Sequence, residues 1–63
     1  MTKLTPLKLA RLENGKSQWD VAKETGISQS LISLYERETK NPSLLHLEAL
    51  AQLYGKEVGE LRR

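Results

Sequence analysis

Two helix-capping serines, Ser17 and Ser28, bracket a segment with room for barely two turns of helix, and Gly26 stands just before the second cap. Ser17 offers its hydroxyl to the unpaired N–H groups of a helix start, and Asp20 three residues on makes a near match to the reciprocal capping box, with a shorter acid than the usual glutamate. Val21 and Ala22 give this helix a buried face. Gly26 takes the left-handed conformation that stops it. Ser28 then opens a further helix at once, with Ile27, Leu31, Ile32 and Tyr35 at positions that face inward. So short a separation forces a sharp change of direction rather than a parallel hairpin. The remaining chain must supply the surface against which this bent pair packs.

Thr5-Pro6 reads as an N-cap followed by proline at the first helical position, where the missing N–H is harmless. A first helix over 6–14 follows, with Leu7, Ala10 and Arg11 on one face, Leu9 and Leu12 off it, and Asn14-Gly15 ending it. The bent pair occupies 18–25 and 29–37. Glu38 to Pro42 is polar and reads as a loop. Two caps fit the next helix, over 44–54: Ser43, or Asn41 with Pro42 at the first helical position. Leu44, Leu47, Leu50, Ala51 and Tyr54 recur at intervals of three and four, the strongest helical signal in the chain, and the Tyr54 ring covers the core while its hydroxyl reaches outward. After Gly55, Val58 and Leu61 fit a short last helix over 57–61, and Arg62-Arg63 reads as a mobile tail. The expected fold class is all-α, one domain over 1–63, with a core of Leu7, Ala10, Val21, Ala22, Ile27, Ile32, Tyr35, Leu47, Leu50, Ala51, Tyr54, Val58 and Leu61.

Composition narrows the functions open to such a fold. The chain has 63 residues and no cysteine, so neither a disulfide nor a thiolate metal site is available, and His46, its single histidine, does not build a metal site alone. The apolar and charged fractions, 38% and 29%, are those of a globular protein. No apolar run approaches the roughly 18 residues of a membrane span, and no signal-peptide core precedes the first helix, so a cytoplasmic protein is expected. An enzyme is not expected: no nucleophile, base and orienting residue stand together, and the chain is too small for a water-excluding cleft. No cofactor and no small-molecule ligand are indicated. The net charge of +2 permits a polyanionic partner without requiring one, so charge placement matters more than the total.

In the known DNA-binding arrangement of two short helices about a tight turn, the second enters the major groove and the first crosses the backbone. Ala22 is small enough for the two helices to approach, and Ile32 and Tyr35 anchor the second from behind. Gln29, Ser30, Ser33 and Leu34 then lie nearer the opposite side, where short amide and hydroxyl groups suit base edges. Gln29 is the leading reader, because its amide can form a bidentate pair with adenine. Leu34 suits a thymine methyl. Ser28, Lys16, Lys23, Arg37 and Lys40 are candidates for phosphate, set near helix starts whose N–H groups also attract anions. For each the plain alternative is an N-cap or a solvated charge.

The stretch SQWDVAKETGISQSLISLYERETKNPS resembles the diagnostic core of the lambdoid-repressor-like family, the Cro-type and phage-repressor helix-turn-helix proteins. Its Ser-Gln opening, Ala-x-x-x-Gly, Ile-Ser at the turn, Ile in the third helix, Glu after the anchoring Tyr and the following Asn-Pro-Ser fall at the family's spacing. The likeness runs from about Leu7 to Leu61. It implies a five-helix domain that binds double-stranded operator DNA, commonly as a homodimer on a palindromic site. It further implies that Gln18 contacts a phosphate and holds side chains of the third helix. By the same likeness Arg11 and Glu36 form a partly buried ion pair, and Asn41 lies near phosphate. A transcriptional regulator, more specifically a repressor, is the leading expectation.

The chain departs from the family pattern at Lys16, Thr25 and Lys56, where an apolar residue is usual, which points to a smaller or looser core. Leu34 replaces a residue that is often polar or basic. Two other readings remain open: a protein-interaction module on the same fold, with Leu9, Leu12, Trp19 and Leu34 as an exposed apolar patch, and an antitoxin-type autoregulator. Trp19 has no assigned role from sequence. His46, in the first turn of the fourth helix, is expected to be neutral and hydrogen-bonded, because the helix dipole disfavours a cation there.

Overall fold

The computed structural model describes residues 4–62, and Arg63 of the expected tail lies outside them. Five helices follow one another: α1 (Pro6–Glu13), α2 (Gln18–Thr25), α3 (Gln29–Glu36), α4 (Leu44–Tyr54) and α5 (Val58–Leu61). No strand occurs among the described residues, so the all-α fold is the one the patterning implied. Three ends lie one residue inside the sequence reading: Asn14, Arg37 and Glu57 are caps rather than helical residues.

Each start is written locally. Thr5, Ser17, Ser28 and Ser43 have extended backbones and accept, through their hydroxyls, the N–H three residues ahead. The open choice at α4 is thereby resolved for Ser43, which takes the His46 N–H at 3.2 Å. At α2 the box is complete: Asp20 N–H donates to Ser17 Oγ at 3.0 Å and Ser17 N–H to the Asp20 carboxylate at 2.9 Å. The bond from the Ser17 backbone N–H, followed by that from its hydroxyl, holds the Asp20 carboxyl below its ordinary pKa. Gly26 (φ 76°) ends α2 in the left-handed region, where a side chain would be strained.

The core gathers one face of every helix. Val21, Ile32 and Leu50 are sealed at its centre, each contributing roughly 1.5–3 kcal/mol by burial. Leu7, Ala10, Ile27, Tyr35, Leu47, Ala51, Tyr54 and Leu61 complete it. Ala22 and Val58, expected inside, are only partly buried and sit at the margin with Leu31 and Leu53. Leu44, counted in the α4 stripe, is instead exposed, as is Leu45, because Ser43 starts the helix so that Leu47, Leu50, Ala51 and Tyr54 take the inner face.

The three departures from apolar character do not leave polar groups stranded. Lys16 Nζ pairs with Glu24 at 2.9 Å, and Lys56 Nζ with Glu13 at 3.5 Å. Thr25 donates to the Val21 carbonyl at 2.7 Å and accepts the Ile27 N–H at 3.2 Å, so it shapes the turn after α2. Among the described residues no buried side-chain nitrogen or oxygen lacks a hydrogen-bond partner. These positions therefore form a polar edge to the core rather than a gap in it.

Candidate nucleic-acid interface

α2 packs more extensively on α3 than any other pair of helices packs together, and α1 closes over α3 from behind. The orientation of α3 is set by its inward residues. Ile32 and Tyr35 fill the core, and the Tyr35 hydroxyl lies 2.7 Å from His46 Nδ1, tying α3 to α4. His46 is half-buried, and its ring is hydrogen-bonded as the sequence reading expected.

Glu36, the last residue of α3, is 4% exposed and Arg11 of α1 is 8% exposed. Their contact is two-pronged: Arg11 Nε to Glu36 Oε2 at 2.7 Å and Arg11 Nη2 to Glu36 Oε1 at 3.2 Å. Arg11 Nη1 also donates to the Lys16 carbonyl at 2.8 Å, so one guanidinium holds α1, the link leading into α2 and the end of α3. Thr5, not singled out from sequence, adds a second tie from α1 by donating to the Glu36 carbonyl at 2.7 Å. It is 4% exposed, and an N-cap threonine before proline carries no sequence signal of such a distant bond.

From this buried pair a line of side chains runs to the surface. Gln18 Nε2 donates to Glu36 Oε1 at 3.0 Å, and Gln18 Oε1 accepts from Gln29 Nε2 at 2.7 Å. Gln18 is at the start of α2 and Gln29 at the start of α3, so the two helix openings are fastened to each other. On the outer side of α3, Ser30 is exposed while Gln29, Ser33 and Leu34 are half-buried. Ser28, Arg37, Lys40 and Asn41 are all exposed, Ser28 ahead of α3 and the other three after it. Lys23 is exposed on α2.

A depression of about 360 Å³ lies beside this face, lined by Thr5, Lys8, Gln18, Ser33, Glu36, Arg37 and Glu38. It brings Gln18, Ser33 and Arg37 together and adds Lys8 of α1, which sequence reasoning did not select. Lys8 stands four residues before Leu12 in a helix read only for its apolar face, and its place on the same depression as Arg37 depends on how α1 crosses α3. Lys16 does not line this depression, and its ammonium lies 2.9 Å from Glu24. No group of three or more metal-ligating side chains occurs among the described residues.

With this geometry in view, the model of the helix-turn-helix family matches residues 7–61, nearly the whole chain. The chain belongs to the helix-turn-helix family of lambda-repressor and Cro type. No curated protein and no solved structure matched it. As a helix-turn-helix domain it is a DNA-binding module of the transcription-regulator class, with α2 and α3 as the defining pair. No described helix is long and apolar enough to cross a membrane. The apolar patch considered above is also revised: Leu9, Leu12 and Trp19 are exposed, Trp19 at 71%, but Leu34 is half-buried on the α3 face.

Proposed function

We propose that this domain is a repressor that reads a two-fold symmetric operator by laying α3 in the major groove of double-stranded DNA. The observation that carries the reading is the Gln18–Gln29 hydrogen bond of 2.7 Å. It holds an amide at the start of α3, where a groove-bound helix meets base edges. Gln29 is the principal reader, with Ser30, Ser33 and Leu34 completing the surface. The Leu34 side chain suits a thymine methyl, and the serines pair with several base edges.

Gln18, Ser28, Arg37, Lys40 and Asn41 form the phosphate-facing set, and Lys8 joins it through its place beside Gln18 and Arg37. Lys16 is left out because it is already paired. Short polar readers on a single small module make few specific contacts, so tight and selective binding calls for two copies. A homodimer places two α3 helices roughly 34–36 Å apart on a palindrome. The protein then acts in the cytoplasm on chromosomal or phage-like DNA.

Selection of sites from random duplex DNA, followed by a salt titration, tests the reading. The expected result is an enriched symmetric sequence whose association constant falls steeply with salt. Absence of any enriched sequence at low salt would remove it. Sedimentation with and without the enriched duplex reports whether two copies bind together.

A further inference from the structure

We propose that the depression between the α3–α4 link and α5 is a regulatory site for a small amphipathic carboxylate, whose binding draws Lys40 away from DNA. The regulatory half rests on the reading of this domain as a DNA-binding repressor, and the site itself does not. The depression holds about 340 Å³, within the roughly 300–1,000 Å³ of small-molecule sites. Leu7 of α1, Tyr35 of α3, Leu47 of α4 and Leu61 of α5 form its floor, each at most 6% exposed, so the core itself holds that floor in place. The link lines it with Asn41 and Pro42. This wall is preset: the Glu38 and Thr39 N–H groups donate to the Tyr35 and Leu34 carbonyls at 3.1 and 3.0 Å, and Pro42 has its φ fixed by the ring. A cavity formed before its ligand arrives costs little ordering on binding. No run of sequence marks the site, because its residues come from separate stretches that only the packing of four helices gathers.

The rim sets the class of ligand. Lys40 and Arg62 border the depression, are exposed, and enter no ion pair among the described residues. Glu38 is the single acid that lines it, so the rim is positive on balance and attracts an anion. An apolar tail on the leucines and a carboxylate at Lys40 and Arg62 satisfy both parts. A sugar, polar throughout, sets hydroxyls against leucine side chains that offer them no partner. Lys40 and Asn41 also belong to the phosphate-facing set. A carboxylate that holds Lys40 in the depression removes its ammonium from phosphate, so ligand and DNA compete for one side chain. By linkage each weakens the other by the same factor.

Phenylacetate is the probe, against phenylacetamide, which has its shape without the charge, and acetate, which lacks the ring. Backbone-amide NMR of the full chain without DNA, at constant ionic strength, is expected to show saturable shifts with phenylacetate at Lys40, Asn41, Leu47 and Arg62. Phenylacetamide and acetate are each expected to bind about tenfold more weakly or worse. Absence of saturable shifts, shifts confined to other residues, or equal binding of the amide would overturn the site. Arg62→Gln changes an exposed residue outside the phosphate-facing set. It is expected to weaken phenylacetate about threefold and to leave duplex affinity in its absence unchanged. Unaltered phenylacetate binding in this variant would also count against the site. Saturating phenylacetate is expected to lower wild-type affinity for the enriched duplex by about fivefold or more. If phenylacetate fills the depression and duplex affinity holds, the regulatory role is overturned. If no duplex is bound at any salt concentration, the repressor reading falls and the regulatory role with it, while the titration without DNA decides the site.

Discussion

The inward and outward sides of α3 are built on different terms, although they belong to one helix of two turns. Inward, Ile32, Tyr35 and Glu36 are each at most 4% exposed, and the polar atoms among them are met by His46, Arg11, Gln18 and Thr5. Outward, Gln29 is the one reader held by another side chain, while Ser30, Ser33 and Leu34 present short or apolar groups to the groove side. The inner side thus holds the helix in a single orientation, and the outer side carries the recognition chemistry with little structural duty. Most substitutions outward should alter DNA choice and spare stability, whereas those inward should do the reverse. Gln18 joins the two sides.

The sharpest way to break this division is Glu36→Ala. It leaves the Arg11 guanidinium buried without its carboxylate, and a loss of about 3–5 kcal/mol of stability is expected in urea denaturation. A loss under 1 kcal/mol would show that the pair does not anchor α3. On the outer side, Gln29→Ala should shift the unfolding midpoint little while erasing about 1–3 kcal/mol of discrimination at one base pair, measured by competition between duplexes. A large loss of stability there would mean the two sides are not separable.

Beyond both sides, Glu38 follows α3 with φ 60°, a left-handed conformation that strains a residue bearing a Cβ. Glu38→Gly relieves that strain, and against Glu38→Ala, which keeps the Cβ and removes the same carboxylate, a gain of about 0.5–1 kcal/mol is expected in thermal unfolding, offset in part by the freedom glycine has when unfolded. An unchanged or lower midpoint would contradict it.

The smallest effect at neutral pH concerns Tyr54, whose burial first, and the nearby Glu36 charge second, raise its phenol to about 12, with Arg11 opposing. The folded protein therefore keeps this proton more tightly than the unfolded chain, whose phenol ionises near 10. Its contribution is fully present below pH 10 and is lost as pH rises to about 12. In Tyr54→Phe the fall in melting temperature across that interval should be shallower than in the wild type; parallel curves would remove Tyr54 as its source.

Much of this arrangement is legible in the chain itself. The caps at Thr5, Ser17 and Ser28, the stop at Gly26 and the apolar intervals of α4 act within a few residues, so local hydrogen bonding and helical periodicity determine them. Their spacing also carries the family likeness, and with it the expectation of an Arg11–Glu36 pair. Three features depend on how helices cross. Leu44 shares the apolar character of Leu47 but faces outward, Lys8 lines the same depression as Arg37 only because α1 lies over α3, and Thr5 reaches the Glu36 carbonyl from far along the chain. Composition and periodicity describe one helix at a time, and none of these contacts lies within one helix. The bent pair from Ser17 to Arg37 was thus determined by its own residues, whereas the line from Arg11 through Glu36 and Gln18 to Gln29 exists because tertiary packing brings three helix ends within hydrogen-bond reach.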